Sequence, residues 1–159
     1  MFKTFLLNLI VQKLNFPPYS IQTKEVDGKT HVFDEIRKKH LVCTPEEWVR
    51  QHMIKYLINE KLCPRGLIAL ESGLKVNTLQ KRSDILVYSK EGNPLILVEC
   101  KAPSIKLSQE TFDQAARYNQ TLKAPYLMIT NGLKHFGAMI DFEKNNYKVI
   151  QELPPYPIL

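Results

Sequence analysis

Asp84, Glu99 and Lys101 are the residues of this chain whose types and spacing could do chemistry. The stretch from Arg82 to Lys101, RSDILVYSKEGNPLILVECK, is two apolar runs joined by Lys90-Glu91-Gly92-Asn93, the pattern of a β-hairpin. Closing such a hairpin makes opposed residue numbers sum to a constant, which sets Asp84 across from Glu99. Side chains alternate along a strand, so Lys101 projects to the face of Glu99. Leu86, Tyr88, Leu95 and Leu97 share that face, and Ile85, Val87, Ile96 and Val98 line the other. A pair apolar on both sides is central and buried. Two carboxylates opposed at the end of such a pair repel and lose hydration unless a cation lies between them. The pattern therefore predicts that Asp84 and Glu99 hold a divalent ion, with Lys101 beside them.

The elements that must position these groups are legible on either side. Thr44-Pro45-Glu46-Glu47 starts a helix, with Thr44 as N-cap, Pro45 at the first helical position and Glu47 where a capping box places its acid. This helix is expected to run to about Lys61 with Val49, Met53, Tyr56 and Leu57 as its buried stripe, and Glu47, Arg50 and Gln51 along another line. Residues 67 to 77 read as a strand bent at Gly73, pairing with the hairpin as its first neighbour. A bulge at that glycine would change the parity of Glu71, whose face stays open. Ala102-Pro103 ends the second hairpin strand, and Ser108 caps a second helix to about Leu122, stopped before Pro125. Phe112, Ala115, Asn119 and Leu122 make its packed stripe, and Gln114 and Tyr118, four apart, meet on an adjacent line. Tyr126 to Thr130 is a buried strand parallel to the one ending at Lys101, and residues 134 to 151 form a last hairpin around Glu143 to Asn146.

With 159 residues, 44% hydrophobic and 24% charged, the chain suits one soluble domain. A formal charge of +6 favours a polyanionic partner. Three cysteines, Cys43, Cys63 and Cys100, without C-x-x-C spacing argue against zinc and against a disulfide scaffold, and suit a reducing cytoplasm. The apolar stretch after Lys3 is too short to span a bilayer and lacks a small-residue cleavage site, so residues 1–16 read as an amphipathic helix or an extension. Asp27-Gly28 marks a hairpin turn. Gly28-Lys29-Thr30 is no phosphate loop, because Thr23 stands where that motif needs glycine. Arg37, Lys38 and Lys39 either touch a nucleic-acid backbone or form a solvated loop. Lys81 and Arg82, just before Asp84, are phosphate contacts or ordinary charge partners. The four histidines lack ligand spacing.

Asp84 and Glu99-Cys100-Lys101 resemble the signature of the PD-(D/E)xK nuclease superfamily, with Ser83 in place of the proline, and Gln114-x-x-x-Tyr118 resembles a second signature of the subgroup that holds RecB-like nucleases. The phrases TPEEWVRQHMI, RSDILVY, LVECKAP, DQAARYN and MITNGLKHF resemble the N-terminal nuclease domain of type I restriction R proteins over roughly residues 30 to 140. The resemblance implies an α/β fold: a restriction endonuclease-like core at about 44–131, with a mixed sheet flanked by helices in the order α-β-β-β-α-β, a C-terminal hairpin added, and 1–159 as one domain. It implies Mg²⁺-dependent cleavage of DNA phosphodiesters, with Mn²⁺ as a substitute and no motor for translocation. Asp84 and Glu99 would be ligands with the Cys100 backbone carbonyl, Lys101 would position water, and Gln114 and Tyr118 would orient Lys101 or the DNA. An acid on the first helix often joins the metal in these folds, which offers Glu47 a second role, although capping accounts for it without chemistry, and Glu46 is a weaker candidate than Glu47. Restriction-system subunits or a second copy of the chain are the implied protein partners. The alternative is a catalytically idle DNA-binding or assembly module of the same fold.

Overall fold

The computed structural model describes residues 12–76 and 79–157, and for residues 71–83 the backbone only. The expectations for residues 1–11 and for the side chains of Glu71, Lys81, Arg82 and Ser83 lie outside the described residues. Three short strands come first: β1 (Thr23–Val26), β2 (Lys29–Asp34) and β3 (Lys39–Val42), an antiparallel sheet in that order. The expected turn at Asp27-Gly28 joins β1 to β2, both residues having positive φ, 50° and 73°, as such a two-residue loop demands. The basic run is not a free loop throughout. Arg37 and Lys38 form the β2–β3 connection while Lys39 and His40 pair with Asp34 and Phe33.

Helix α1 (Pro45–Asn59) begins where expected, the Thr44 hydroxyl accepting the Glu47 N–H at 3.1 Å. The reciprocal half of the capping box does not form. The Thr44 N–H goes to the Val42 carbonyl instead, and the Glu47 carboxylate turns to Arg37, Arg50 and Gln51. Glu47 through Ile54 are all buried, so the helix has no solvent stripe over its first half.

The main sheet has six strands in sequence order: β4 (Ile68–Val76), β5 (Leu79–Tyr88), β6 (Pro94–Cys100), β7 (Tyr126–Thr130), β8 (His135–Asp141) and β9 (Asn146–Ile150). Only β6 and β7 pair in parallel, across helix α2 (Gln109–Leu122), because a parallel neighbour needs a crossover. The β4–β5 register runs at one offset from Ile68↔Val87 to Val76↔Leu79, so no bulge interrupts it at Gly73. The β5–β6 register is the one expected through Ile85↔Val98, Leu86↔Leu97 and Val87↔Ile96, then slips to Tyr88↔Pro94. That slip explains one departure: Leu95 packs with the cluster of Ile96 and Val98, away from Leu97.

The sheet separates two cores. Val49, Met53, Ile54 and Leu57 of α1 meet Ile85, Val87, Ile96, Val98 and Cys100 on one face. Phe112, Ala115 and Tyr118 of α2 meet Leu86, Leu97, Leu127 and Ile129 on the other. Gln12 to Phe16 dock onto the α1 side: the Trp48 indole donates to the Gln12 carbonyl at 3.0 Å, and the Asn15 N–H donates to the Gly132 carbonyl at 2.7 Å. Gly132, at φ +80°, leaves no room for a Cβ, which would meet the Leu14 side chain at 2.8 Å. Gly132→Ala combines an unfavourable backbone with that clash, and should cost about 1–3 kcal/mol in urea unfolding.

Candidate active site

Asp84 lies within β5, just beyond the last residue of that strand paired with β6, Ile85, while Glu99 is in β6 and Lys101 just past its end. Asp84 is fixed by two different donors. Its Oδ2 accepts the Cys100 backbone N–H at 2.7 Å, and its Oδ1 accepts Arg50 Nη2 at 2.9 Å. The first bond ties the two strands together beyond their last backbone pair, Ile85↔Val98. The second ties the sheet to α1.

Glu99 is paired with Lys101 Nζ at 2.9 Å, both side chains being about a third exposed or less. Burial pushes the Glu99 carboxyl above its ordinary range, the negative charge of Asp84 pushes it further, and Lys101 opposes both. Burial works against the Lys101 charge, but Glu99, Asp84 and Glu46 outweigh it and hold the ammonium more firmly protonated than usual. Asp84, Glu99 and Lys101 therefore share one electrostatic neighbourhood.

On the α2 face, Leu97, Glu99, Thr111, Gln114, Ala115, Arg117 and Tyr118 line a cleft of about 430 Å³. Gln114 is exposed at its rim, its amide reaching Glu110 at 3.4 Å, while Tyr118 is buried in the packed stripe of the helix. The i, i+4 spacing thus brings one donor and one aromatic wall to the same opening as Glu99.

On the α1 face the centre is Arg50, 6% exposed. Its Nη2 bridges Asp84 Oδ1 at 2.9 Å and Glu46 Oε1 at 3.0 Å, and its Nη1 donates to Glu47 Oε2. Burial alone would make the guanidinium easier to deprotonate, but the charges of Glu47 and Asp84 reverse that. Glu47 also accepts from Arg37 at 3.0 Å and Gln51 at 2.8 Å, and Gln51 and Arg37 both reach the buried Asp34. Glu47 is thus enclosed by cationic and amide donors, whereas Glu46, a carboxylate 43% exposed, lies close enough for its charge to act on Glu99 and Lys101. Arg37 is engaged in the same network; Lys38 and Lys39 are exposed at the β2–β3 turn, on the smaller sheet. Sequence reasoning passed over Arg50 and ranked Glu46 below Glu47, although the i, i+4 and i, i+3 spacings of Arg50 from the two acids were visible. Among the described residues, no group of three or more His, Cys, Asp or Glu side chains is arranged to hold a metal ion. In kind, the oxygen donors of Asp84 and Glu99 fit a hard divalent cation, and the raised Glu99 carboxyl marks a pair still short of positive charge. The thiols offer no competing chemistry: burial pushes Cys43 up to about 12 and Cys63 up to about 11, and holds Cys100 well above its ordinary value.

The fold is similar to that of a solved fragment described as an HsdR subunit of a type I restriction enzyme from Vibrio vulnificus YJ016. The likeness has a TM-score of 0.51 at 19% identity and covers 69% of this chain and 23% of that one. The chain belongs to the family described as type I restriction enzyme R protein N terminus (HSDR_N), whose model matches residues 45–154. It therefore spans about a quarter of the length of that solved relative. No curated protein matches it significantly. No helix among the described residues is long and apolar enough to cross a membrane.

A group whose folded pKa is raised contributes stability fully below its ordinary pKa and loses it as pH rises through the folded value. For Glu99 that loss lies above the ordinary carboxylate range of about 4.3. In chelator, Glu99→Gln should raise Tm at neutral pH, and the gain should shrink towards zero on acidification below that range. A thermal-melt series across pH measures it.

Proposed function

We propose that the chain is a PD-(D/E)xK-type endonuclease domain that hydrolyses DNA phosphodiesters with Mg²⁺, for which Mn²⁺ can substitute. One observation carries the reading: the Glu99 carboxyl is raised by burial and by Asp84 despite Lys101 at 2.9 Å. A purely structural site has no reason to retain two repelling carboxylates there. The bound ion would supply charge neutralisation at the phosphate and a more acidic water. Asp84 and Glu99 would hold it, with the Cys100 carbonyl as a further oxygen and Glu46 as the nearest first-helix acid; Glu47 is the less suitable one, being enclosed by Arg37, Arg50 and Gln51.

The remaining roles belong to the cleft. Lys101 positions the attacking water and faces the charge that develops on the phosphate. Gln114 at the rim offers an amide donor to a phosphate oxygen or to Lys101, and the Tyr118 ring sets the wall behind Glu99. Backbone contacts by Lys38, Lys39, Lys81 and Arg82 would add sequence-independent affinity. Restriction-system subunits or further copies of this chain are the partners in this reading, in the cytoplasm.

A second reading, a catalytically idle DNA-binding or assembly module, is favoured by the ion pairs themselves. Arg50 on Asp84 and Lys101 on Glu99 give each carboxylate a positive partner without any metal. Calorimetric titration with Mg²⁺ and Mn²⁺ separates the two, since the idle module predicts no binding. With active protein, Asp84→Ala, Glu99→Ala and Lys101→Ala should abolish Mg²⁺-dependent nicking of supercoiled DNA with the fold retained; equal nicking by all three would expose a contaminant. Gln114→Ala should lower the nicking rate on the order of 100-fold while leaving ion affinity close to wild type. Tyr118→Phe should be milder, because the ring keeps its packing. Wild-type nicking by Gln114→Ala would remove that residue from the site.

A further inference from the structure

Arg50 is a cation already lodged at the acidic site. It bridges Glu46 and Asp84 through one nitrogen, at 3.0 and 2.9 Å, and holds Glu47 through the other. Its Nε, buried, has no hydrogen-bond partner. A guanidinium used to full advantage forks bidentately onto one carboxylate; this one is spread over three acids and leaves a donor unused. Letting go of Asp84 would cost it one hydrogen bond of three, and Glu46 and Glu47, both on its own helix, would still hold it. Asp84 in turn would keep its bond to the Cys100 N–H at 2.7 Å, so the strand pair does not depend on the arginine. The Arg50–Asp84 contact joins two otherwise anchored groups.

We propose that Arg50 is the resident counter-cation of Asp84, released from that carboxylate when a divalent ion binds, so that this residue sets the ion affinity of the site. The inference rests on the metal-binding reading above. A divalent ion and a guanidinium sharing one carboxylate oxygen repel each other, and the arginine has two other acids to fall back on. Until the ion arrives, Arg50 supplies the positive charge beside Asp84; afterwards it remains on α1 as a positioning residue for Glu46 and Glu47.

The test is Mg²⁺ and Mn²⁺ calorimetry on the 159-residue chain and its Arg50→Lys and Arg50→Gln variants, with nicking not required. Lysine keeps the charge but lacks the fork that spans Asp84 and the two acids of α1. Both variants should bind the ion about tenfold more tightly than wild type, or about 1.4 kcal/mol. If only Arg50→Gln gains affinity, charge at a distance is responsible and the displacement is refuted; equal or weaker binding by both variants refutes it as well. Absence of binding in wild type and variants alike overturns the metal-site reading together with this one. Should a variant fail to fold, the wild-type protein decides. The Arg50 Nε–H resonance, assigned by site-specific labelling, should shift with added Mg²⁺ and saturate with the calorimetric curve, and a resonance that stays fixed through saturation overturns the proposal.

Discussion

The contact on which the site depends is the one between Arg50 and Asp84. A carboxylate at the end of a strand pair buried on both faces is costly unless hydrogen-bonded and paired. Among the described residues of the two strands, the Lys101 ammonium is bonded to Glu99. The positive charge for Asp84 therefore comes from the helix packed on the opposite side of the sheet from the cleft, and that requirement shapes the helix. Arg50 is buried where it reaches Asp84, and Glu47, which accompanies it, is buried too.

The demand then spreads outwards. Glu47 takes a second cation, Arg37, from the β2–β3 connection, and Arg37 is itself held by Asp34, which also accepts the Ile36 and Arg37 backbone N–H groups at 2.9 and 2.7 Å. Gln51 closes the circuit between Asp34 and Glu47. The small sheet is thus attached to α1 through a polar network that leads to Asp84, besides the apolar contact of Val32 with the core. A buried network of this kind is sensitive to the loss of any member, because each partner left behind is an unpaired buried charge or amide.

What the sequence made legible follows from the range of the forces involved. The hairpin register, the N-caps Thr44 and Ser108, the two helices and the parallel return of β7 rest on local pattern and turn chemistry, and all are present. The slip at Tyr88↔Pro94 and the fate of Leu95 were not legible, because a bulge beside a tight turn is decided by loop geometry that alternation does not encode. Glu47 shows the clearest failure. Its position fits a capping box, yet an Arg three residues later and another in the β2–β3 connection compete for the carboxylate, and in a buried setting the charged donors win over a backbone N–H. The third strand, Lys39–Val42, was hidden because a basic tetrapeptide reads as a solvated loop, while its pairing with β2 depends on backbone bonds that side-chain charge does not forbid.

The two faces of the sheet divide the work at these strand ends. On the α1 face the space beside Asp84 is filled by a buried guanidinium. On the α2 face the space beside Glu99 is an open cleft walled by neutral and basic groups, Thr111, Gln114, Arg117 and Tyr118. The Arg50 guanidinium occupies the α1 side of Asp84, whereas Glu99 borders the cleft. The cleft beneath α2 offers both volume and donors, and its place follows from packing that the apolar alternation of β5 and β6 had already decided. One face sets a buried cation against Asp84, and the other leaves Glu99 and Lys101 beside an open cleft.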